Sequence, residues 1–234
     1  MARALISSDF PAQLTQGYRA FLDSRFPGER RRFEILAERG QSPEVMIIGC
    51  CDSRVSPEVI FDASPGEMFV VRNVANLVPP FETGGDYHGT SAALEFAVQA
   101  LKVKHIVVLG HQSCGGIKAF ANKADPLSPG DFIGSWMTLI APAAERLDES
   151  LTDAQRTAAD YVTRLELAAI ELSLRNLLTF PCVRTLVERG QLALHGAYFG
   201  VANGVLMIRD PQTGAFAPAV EGSATSPGQA MRWS

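Results

Sequence analysis

The stretch EVMIIGCCDSR, residues 44–54, opens with a continuous apolar run and ends in cysteine, carboxylate and guanidinium groups. An apolar run without polar alternation is typical of a strand that is buried on both faces, as in a parallel sheet. We therefore predict a central strand over residues 44–49. Reactive side chains follow it directly, at Cys50, Asp52 and Arg54.

Two more buried strands are predicted further along the chain. They are MFVV at residues 68–71 and HIVVL at residues 105–109, and a helix is predicted between them over residues 91–98. A strand, a helix and a strand in succession form the unit of a parallel sheet with a right-handed crossover. The sequence thus predicts an α/β fold, with a mainly parallel central sheet flanked by helices.

Residues 1–40 are predicted to form an N-terminal helical arm. Apolar residues such as Leu14 and Tyr18 recur there at helical spacing. Ser8 or Asp9 is the predicted cap of this helix. An amphipathic helix of this kind needs an apolar surface to cover, on its own subunit or on a partner.

The remaining chain is predicted to be mainly helical, followed by a strand hairpin at the sheet edge and a tail. The hairpin signal is the Asn203-Gly204 turn between two apolar runs. The α/β domain is predicted to span residues 41–210, and the tail, rich in Gly, Pro and Ser, is expected to be loosely ordered. The predicted helices cover residues 132–147, 153–178 and 181–189, the hairpin strands cover 192–199 and 205–208, and the tail covers 211–234.

Composition excludes several classes of protein. The chain has 234 residues, of which 47% are hydrophobic, enough for one large core. Its net charge is −4 and its one basic cluster is Arg30-Arg31-Arg32, so we expect no nucleic-acid partner. It has no signal-like start and no apolar run long enough for a membrane span, so we expect no membrane partner and a cytoplasmic location. Its four cysteines are expected to stay reduced there.

A second polar motif, HQSCGG at residues 111–116, follows the strand at residues 105–109. The carboxyl ends of parallel strands lie at one edge of a sheet, where α/β proteins place their sites. If the two strands are neighbours, Cys50, His111 and Cys114 meet at one point. Two thiolates and an imidazole form a ligand set that zinc favours, and three protein ligands leave a fourth position for water or substrate.

Zinc in such a site lowers the pKa of its bound water to about 7 and so provides a hydroxide nucleophile. Two thiolates oppose this effect because they reduce the charge that the water feels. Asp52 and Arg54 are the predicted compensation. The carboxylate accepts a hydrogen bond from the water, and the guanidinium orients the carboxylate and keeps it ionised.

Structural interpretations compete with these assignments. Alone, Cys50 and Cys51 at the end of an apolar strand are more often buried core thiols than ligands, and a lone His111 is more often a loop histidine. The Gly115-Gly116 pair matches only part of a phosphate-binding loop. Structural roles are expected for His105, His195 and Cys182. His88 is expected to be an exposed loop residue or, alternatively, a proton shuttle.

At these residues the sequence resembles the β-carbonic anhydrases, whose signatures are Cys-x-Asp-x-Arg and, some sixty residues on, His-x-x-Cys-Gly-Gly. The similarity covers roughly residues 40 to 210. Further family-like segments are RNVAN at residues 72–76, LEFAV at 94–98 and LHG at 194–196.

The resemblance implies one zinc per chain, held by the two cysteines and the histidine named above, with Asp52 and Arg54 beside it. It also implies that Asp52 can swing onto the zinc as a fourth ligand and close the site. Carbon dioxide and bicarbonate are the implied substrates, and a homodimer or higher homo-oligomer is the implied assembly. The implied substrate-binding residues, partly contributed across a dimer interface, are Gln41, Phe69, Val74, Phe96 and Gly115.

Two positions place the chain in the plant-like branch of that family rather than the bicarbonate-regulated one. Gln41 lies nine residues before the first cysteine, and Ile47 stands where the regulated branch has tryptophan. Two other positions depart from the pattern, because Phe96 replaces a tyrosine and Cys51 replaces a serine. A thiol at Cys51 either competes for zinc or forms a disulfide under oxidation, or it simply replaces a small buried serine.

The predicted activity is the zinc-dependent, reversible hydration of carbon dioxide to bicarbonate and a proton, a lyase reaction. Two alternatives stay open at this point. The same centre could hydrolyse carbonyl sulfide or carbon disulfide. The scaffold could instead carry a non-enzymatic zinc-binding or redox-sensing function, which would make no use of Asp52 and Arg54.

Overall fold

The structure is a computed structural model that describes residues 10–84, 88–156 and 160–221. The chain divides into two compact units, Met1–Gln41 and Ser42–Ser234.

The first unit contains two α-helices joined by a π-helical turn. Helix α1 spans Ala12–Ala20, the turn spans Phe21–Arg25 and helix α2 spans Phe26–Arg39. The arm predicted as one helix is therefore three helical segments. The predicted cap at residues 8 and 9 lies outside the described residues. Helix α2 ends at Gly40, whose φ of 77° is a conformation that glycine adopts readily.

Within this unit three phenylalanine rings pack together. The ring of Phe21 lies 5.6 Å from that of Phe26 and 6.1 Å from that of Phe33, and the rings of Phe26 and Phe33 are 5.6 Å apart. These are the centroid distances of favourable aromatic pairs. The cluster therefore holds the π-helical turn against helix α2.

The second unit is built on a sheet whose strands, within the described residues, follow the order β2-β1-β3-β4-β5-β6. Strands β2, β1, β3 and β4 are mutually parallel, whereas β5 and β6 are antiparallel. This confirms the predicted α/β fold with a mainly parallel sheet. The strands are β1 Val45–Cys50, β2 Met68–Asn73, β3 His105–His111, β4 Ala193–Phe199, β5 Leu206–Arg209 and β6 Phe216–Pro218.

The register of the parallel strands brings their carboxyl ends to one edge. Cys50 pairs with Asn73 on β2, and Gly49 pairs with Leu109 on β3. Strand β1 lies between these two neighbours and is buried from its second residue to its last. A continuous apolar strand at the centre of the sheet is what residues 45–50 predict.

Helices cover the sheet and form its hydrophobic core. Helix α9, which spans Tyr161–Leu177, contacts β3 and β4. It buries a stripe that includes Leu165 and Ile170. The predicted helix over residues 132–147 is two helices joined by a 3₁₀ turn and continues to Ser150. The helices are α3 Pro57–Ile60, α4 Gly89–Glu95 continued by a π-helical turn Phe96–Leu101, α5 Gly115–Ala121, α6 Phe132–Met137 followed by the 3₁₀ turn Thr138–Ile140, α7 Ala141–Ser150, α8 Asp153–Arg156, α9 Tyr161–Leu177 and α10 Pro181–Glu188.

The C-terminal region differs from the expectation in one respect. The hairpin of β4 and β5 is present, and Gly204 adopts the positive φ of 70° that its tight connection requires. The residues from 211 were expected to be loosely ordered, but strand β6 forms there and pairs with β5. Strand β6 forms because Phe216, which is only 2% exposed, packs in the main hydrophobic core. Residues 222–234 of the predicted tail lie outside the described residues.

None of the helices in the described residues combines the length and the hydropathy that a membrane span requires.

Candidate metal centre

Three buried side chains converge at the carboxyl ends of β1 and β3. Cys50 is the last residue of β1, His111 is the last residue of β3, and Cys114 precedes helix α5. Their exposures are 4%, 1% and 1%, and one ligand atom of each lies within 4.8 Å of the other two. The structure therefore brings together all three predicted zinc ligands.

The spacing of these atoms fits zinc. The two sulfur atoms of Cys50 and Cys114 are 4.0 Å apart. Two sulfurs at tetrahedral angles, each about 2.3 Å from a zinc ion, would be roughly 3.8 Å apart. The pair is therefore already at the separation that a shared zinc needs.

The histidine shows the same fit. His111 Nδ1 lies 3.0 Å from the carbonyl oxygen of Gln112, which can only accept, so Nδ1 carries the proton. In the neutral imidazole the lone pair is then on Nε2, which is buried without a hydrogen-bond partner among the described residues. A buried nitrogen with a free lone pair facing two thiols is suited to bind a metal ion.

The thiols influence each other's ionisation. The hydrogen bond from the Cys114 thiol lowers the pKa of Cys50 to about 4, against burial, which acts in the opposite direction. The same hydrogen bond, together with burial, raises the pKa of Cys114. The pair thus holds one thiolate at neutral pH, and a bound cation would replace the remaining proton.

Asp52 and Arg54 form a two-pronged ion pair beside these ligands. Arg54 Nε donates to Asp52 Oδ1 at 2.9 Å, and Nη2 donates to Oδ2 at 2.6 Å. The Arg54 backbone N–H also donates to Oδ1, at 3.0 Å. These hydrogen bonds lower the pKa of the Asp52 carboxyl well below its usual range. The carboxylate is therefore ionised and oriented, as predicted for the pair.

The loop that carries this pair is held by a residue whose role the sequence did not indicate. Arg72, near the end of β2, donates from Nε to the backbone oxygen of Cys50 at 2.7 Å and from Nη2 to that of Asp52 at 2.6 Å. One guanidinium therefore fixes the backbone on both sides of Cys51. The RNVAN segment resembles the family, but no local pattern identifies Arg72 as this clamp.

The second ligand loop also has a support that the sequence analysis missed. Glu166 on helix α9 is 2% exposed and accepts a hydrogen bond from the Cys114 backbone N–H at 2.8 Å. The Tyr198 hydroxyl donates to the other carboxylate oxygen at 2.7 Å. A signal was present, because Glu166 lies at helical spacing from Ala169 and Ile170 in a buried stripe. A carboxylate in an otherwise apolar stripe is rarely buried without a specific partner.

Val74 and Gly116 pack against each other next to the ligands. A Cβ added at Gly116 would lie 2.8 Å from Val74 Cγ1, so only glycine permits this approach. Trp136 holds the backbone of Val74 by donating from Nε1 to its oxygen at 2.8 Å. Val74, a predicted pocket residue, therefore contacts the loop of Cys114. Gly115, also predicted to bind substrate, is exposed at the start of helix α5.

Two of the other predicted pocket residues, Phe69 and Phe96, are not brought to the ligands of the same chain. The rings of Phe69 and Phe96 contact each other at 5.8 Å, and Phe96 is 50% exposed. Phe69 pairs with Met46, four residues before Cys50, which is about 13 Å along the strand. Gln41 is exposed and is the last residue of the first unit.

The remaining polar candidates lie apart from the three ligands. The Cys51 side chain is exposed and is not one of the metal-binding group, and Cys182 is half-buried on helix α10. His88 Nε2 lies 2.6 Å from the Gly84 oxygen in a loop. Rings of His105 and His195 hydrogen-bond to each other at 3.1 Å on neighbouring strands, which fits the structural roles expected for them.

Two thiols and an imidazole at the carboxyl ends of parallel strands, with an oriented carboxylate beside them, define a zinc enzyme of the α/β class. A family model described as carbonic anhydrase matches residues 45–206, which include all three ligands and both residues of the ion pair. The chain belongs to the β-carbonic anhydrase family, as its motifs predicted.

Similar proteins support this assignment. Beta carbonic anhydrase 3 of Arabidopsis thaliana is 35% identical over 198 residues, which are 84% of this chain and 75% of that protein. The β-carbonic anhydrase CcaA has a structure that superposes with a TM-score of 0.78 at 28% identity, covering 90% of this chain and 92% of the other. A tetrameric β-carbonic anhydrase from Sordaria macrospora superposes with a TM-score of 0.69 at 30% identity, covering 84% of this chain and 94% of the other.

The family and the site together establish the activity. The protein is a zinc-dependent carbonic anhydrase, a lyase that hydrates carbon dioxide, and Cys50, His111 and Cys114 form its zinc site. The similarity to the Arabidopsis enzyme agrees with the plant-like branch that Gln41 and Ile47 indicated.

Proposed function

We propose that Asp52 and Arg54 are the catalytic pair of this carbonic anhydrase. The observation that supports this assignment most directly is the two-pronged ion pair two residues beyond the ligand Cys50. A purely structural zinc site has no use for an oriented carboxylate at this place. The Asp52 side chain keeps 18% of its surface accessible, so it can also face a small substrate.

The chemistry divides between the metal and the chain. When bound, zinc supplies the Lewis acidity that brings the pKa of a water molecule down to about 7. The Asp52 carboxylate would accept a hydrogen bond from water at this centre and so would orient the nucleophile towards carbon dioxide. Arg54 keeps the carboxylate ionised, since it lowers the pKa of Asp52. The proton of the reaction then leaves to solvent or buffer, and bicarbonate is released.

We propose that Asp52 also serves as the fourth zinc ligand in a closed state. In the structure its carboxylate is paired with Arg54, and coordination would break at least one of those hydrogen bonds. The pair therefore stabilises the open state relative to the closed one. Weakening the pair should shift the population towards closure.

The substrate pocket in this proposal is apolar and shared between two copies of the chain. Val74 lies beside the Cys114 loop of its own chain, whereas Phe69 lies about four strand residues from Cys50 and contacts the ring of Phe96. We place these two rings, with Gln41, at the site of a partner subunit in a homodimer or higher homo-oligomer. Gly115 would line the same site. The relative from Sordaria macrospora is tetrameric.

We also propose that the protein is located in the cytoplasm. All four cysteines of the described chain are free thiols, and two of them must stay reduced to bind zinc. A compartment that is kept reducing by thiol buffers provides this condition.

The Asp52→Asn variant tests the proposed role. Stopped-flow hydration of carbon dioxide, with zinc content measured on the same sample, should show a loss of about 100-fold or more in turnover with zinc retained. Asp62→Asn, at an exposed position after helix α3, is the matched control and should behave as wild type. Unchanged turnover in Asp52→Asn would exclude the role of Asp52. Assays with carbonyl sulfide and carbon disulfide would show whether the centre prefers a sulfur analogue.

A further inference from the structure

The buried carboxylate of Glu166 receives hydrogen bonds from two elements of the fold. The backbone N–H of Cys114 donates to Oε1 at 2.8 Å, and the Tyr198 hydroxyl on β4 donates to Oε2 at 2.7 Å. The ligand loop and strand β4 therefore both donate to one side chain of helix α9.

The geometry of the loop explains why it needs such a support. Ser113 has a φ of 58°, in the left-handed region that residues other than glycine rarely adopt. Such a conformation persists only where the surroundings hold it in place. Glu166 holds the amide side of this turn, and Arg54 Nη2 donates to the Ser113 oxygen at 3.0 Å on the other side.

Stability of the core does not explain a carboxylate at this position. Burial raises the pKa of Glu166, which reflects the cost of removing its charge from water. An apolar side chain in the same stripe of α9 would avoid that cost, as it does at Leu165 and Ile170. What an apolar residue cannot do is accept hydrogen bonds from the loop of Cys114.

We propose that Glu166, braced by Tyr198, is a positioning residue for the metal centre. It fixes the left-handed turn at Ser113 so that the Cys114 sulfur stays next to that of Cys50. Because Arg54 binds the opposite side of the same turn, Glu166 also sets the place of the Asp52–Arg54 pair. The inference concerns the zinc site itself and does not depend on the catalytic role proposed for Asp52.

The Glu166→Leu variant tests this proposal through metal affinity. Leucine fills a similar space but accepts no hydrogen bond, so zinc affinity measured against a competing chelator should fall by about 10- to 100-fold. The visible spectrum of the cobalt-substituted protein should change as well, because a displaced sulfur alters the ligand field. Glu171→Leu is the matched control on the same helix, since Glu171 pairs with Arg209 on β5. That control should bind zinc with wild-type affinity.

A conservative variant separates positioning from charge. In Glu166→Gln the amide oxygen can still accept from Cys114, and the amide nitrogen can donate to the Tyr198 oxygen. We therefore expect Glu166→Gln to restore zinc affinity to within about threefold of wild type and to restore the cobalt spectrum. A glutamine variant as weak as the leucine variant would contradict the proposal.

The turn at Ser113 provides an independent rescue. Glycine adopts a positive φ without a steric penalty, so Ser113→Gly in the Glu166→Leu background should recover part of the lost zinc affinity. Should Glu166→Leu fail to fold, Tyr198→Phe gives the decisive measurement, with an expected loss of about tenfold. Wild-type zinc affinity and an unchanged cobalt spectrum in Glu166→Leu, or in Tyr198→Phe if the leucine variant does not fold, would overturn the proposal.

Discussion

Arg54 Nη2 lies 3.0 Å from the backbone oxygen of Ser113, a residue 59 positions further along the chain. The same nitrogen is 2.6 Å from Asp52 Oδ2. One guanidinium thus joins the loop after β1 to the loop after β3, and the two metal-binding motifs form a single hydrogen-bonded unit.

The Arg54→Lys variant should lower kcat/KM by about 10- to 100-fold while zinc stays bound. A lysine ammonium is a point charge and cannot reproduce the planar fork that grips both Asp52 oxygens and also reaches Ser113. Carbon dioxide hydration and zinc content are the measurements. The control is Arg164→Lys, because Arg164 on helix α9 forms an ion pair with Asp160, the residue before that helix. A fully active Arg54→Lys enzyme would show that charge alone suffices.

Removal of zinc with a chelator should leave one thiolate in the centre at neutral pH. The hydrogen bond from Cys114 stabilises the charged form of Cys50 and lowers its pKa, so thiolate absorbance should persist well below the ordinary range of a cysteine. In Cys114→Ala the donor is lost, and the Cys50 pKa should rise towards the ordinary value of about 8.5. Both titrations belong in a Cys51→Ser background, because the Cys51 thiol is exposed. Identical titrations with and without Cys114 would rule out the hydrogen bond.

Gly116→Ala should destabilise the protein by about 1 to 3 kcal/mol. The new methyl group would lie 2.8 Å from Val74 Cγ1 and 3.2 Å from Met137 Sδ, so the packing beside the ligands must shift. Gly115→Ala is a control one residue away, since a Cβ there meets no atom within 4 Å. Denaturant unfolding of both variants makes the comparison. Equal free energies of unfolding for the two would contradict the close approach.

Sharing of the pocket between subunits can be tested by mixing two inactive variants. Cys50→Ser removes a zinc ligand, and Phe96→Glu places a charge in the proposed apolar pocket. If Phe96 serves the partner's zinc, co-expressed variants should recover about one quarter of wild-type activity, because half of the random dimers are mixed and each has one intact site. If Phe96 serves its own chain, every site in the mixture is defective and no activity returns.

The central sheet and the zinc ligands were predictable because their determinants are local. A short apolar run that is rich in β-branched residues, such as residues 45–50, favours a buried strand, and the side chains directly after two neighbouring parallel strands lie at one edge. The Asn203-Gly204 turn likewise identifies its hairpin from two residues. For these features the chain needs no information from distant positions.

Other features depend on long-range contacts that no local pattern encodes. The clamp by Arg72 and the edge strand at Phe216–Pro218 exist because of neighbours far along the chain. Glu166 is an intermediate case. The buried stripe that contains it can be recognised in the sequence, but the hydrogen-bond partner of its carboxylate cannot. The separation of Phe69 from Cys50 could be found only once the register of β1 and β2 was known.

The support of the Cys114 loop by Glu166 also has a consequence for how the protein is made. The two residues are 52 positions apart, so at 5–20 residues per second the ribosome adds Glu166 roughly 3 to 10 s after Cys114. During that interval all three zinc ligands have been synthesised, but the helix that braces their loop has not. We expect newly made chains to acquire zinc firmly only after α9 leaves the exit tunnel, and the unprotected thiols to be most vulnerable to oxidation before then.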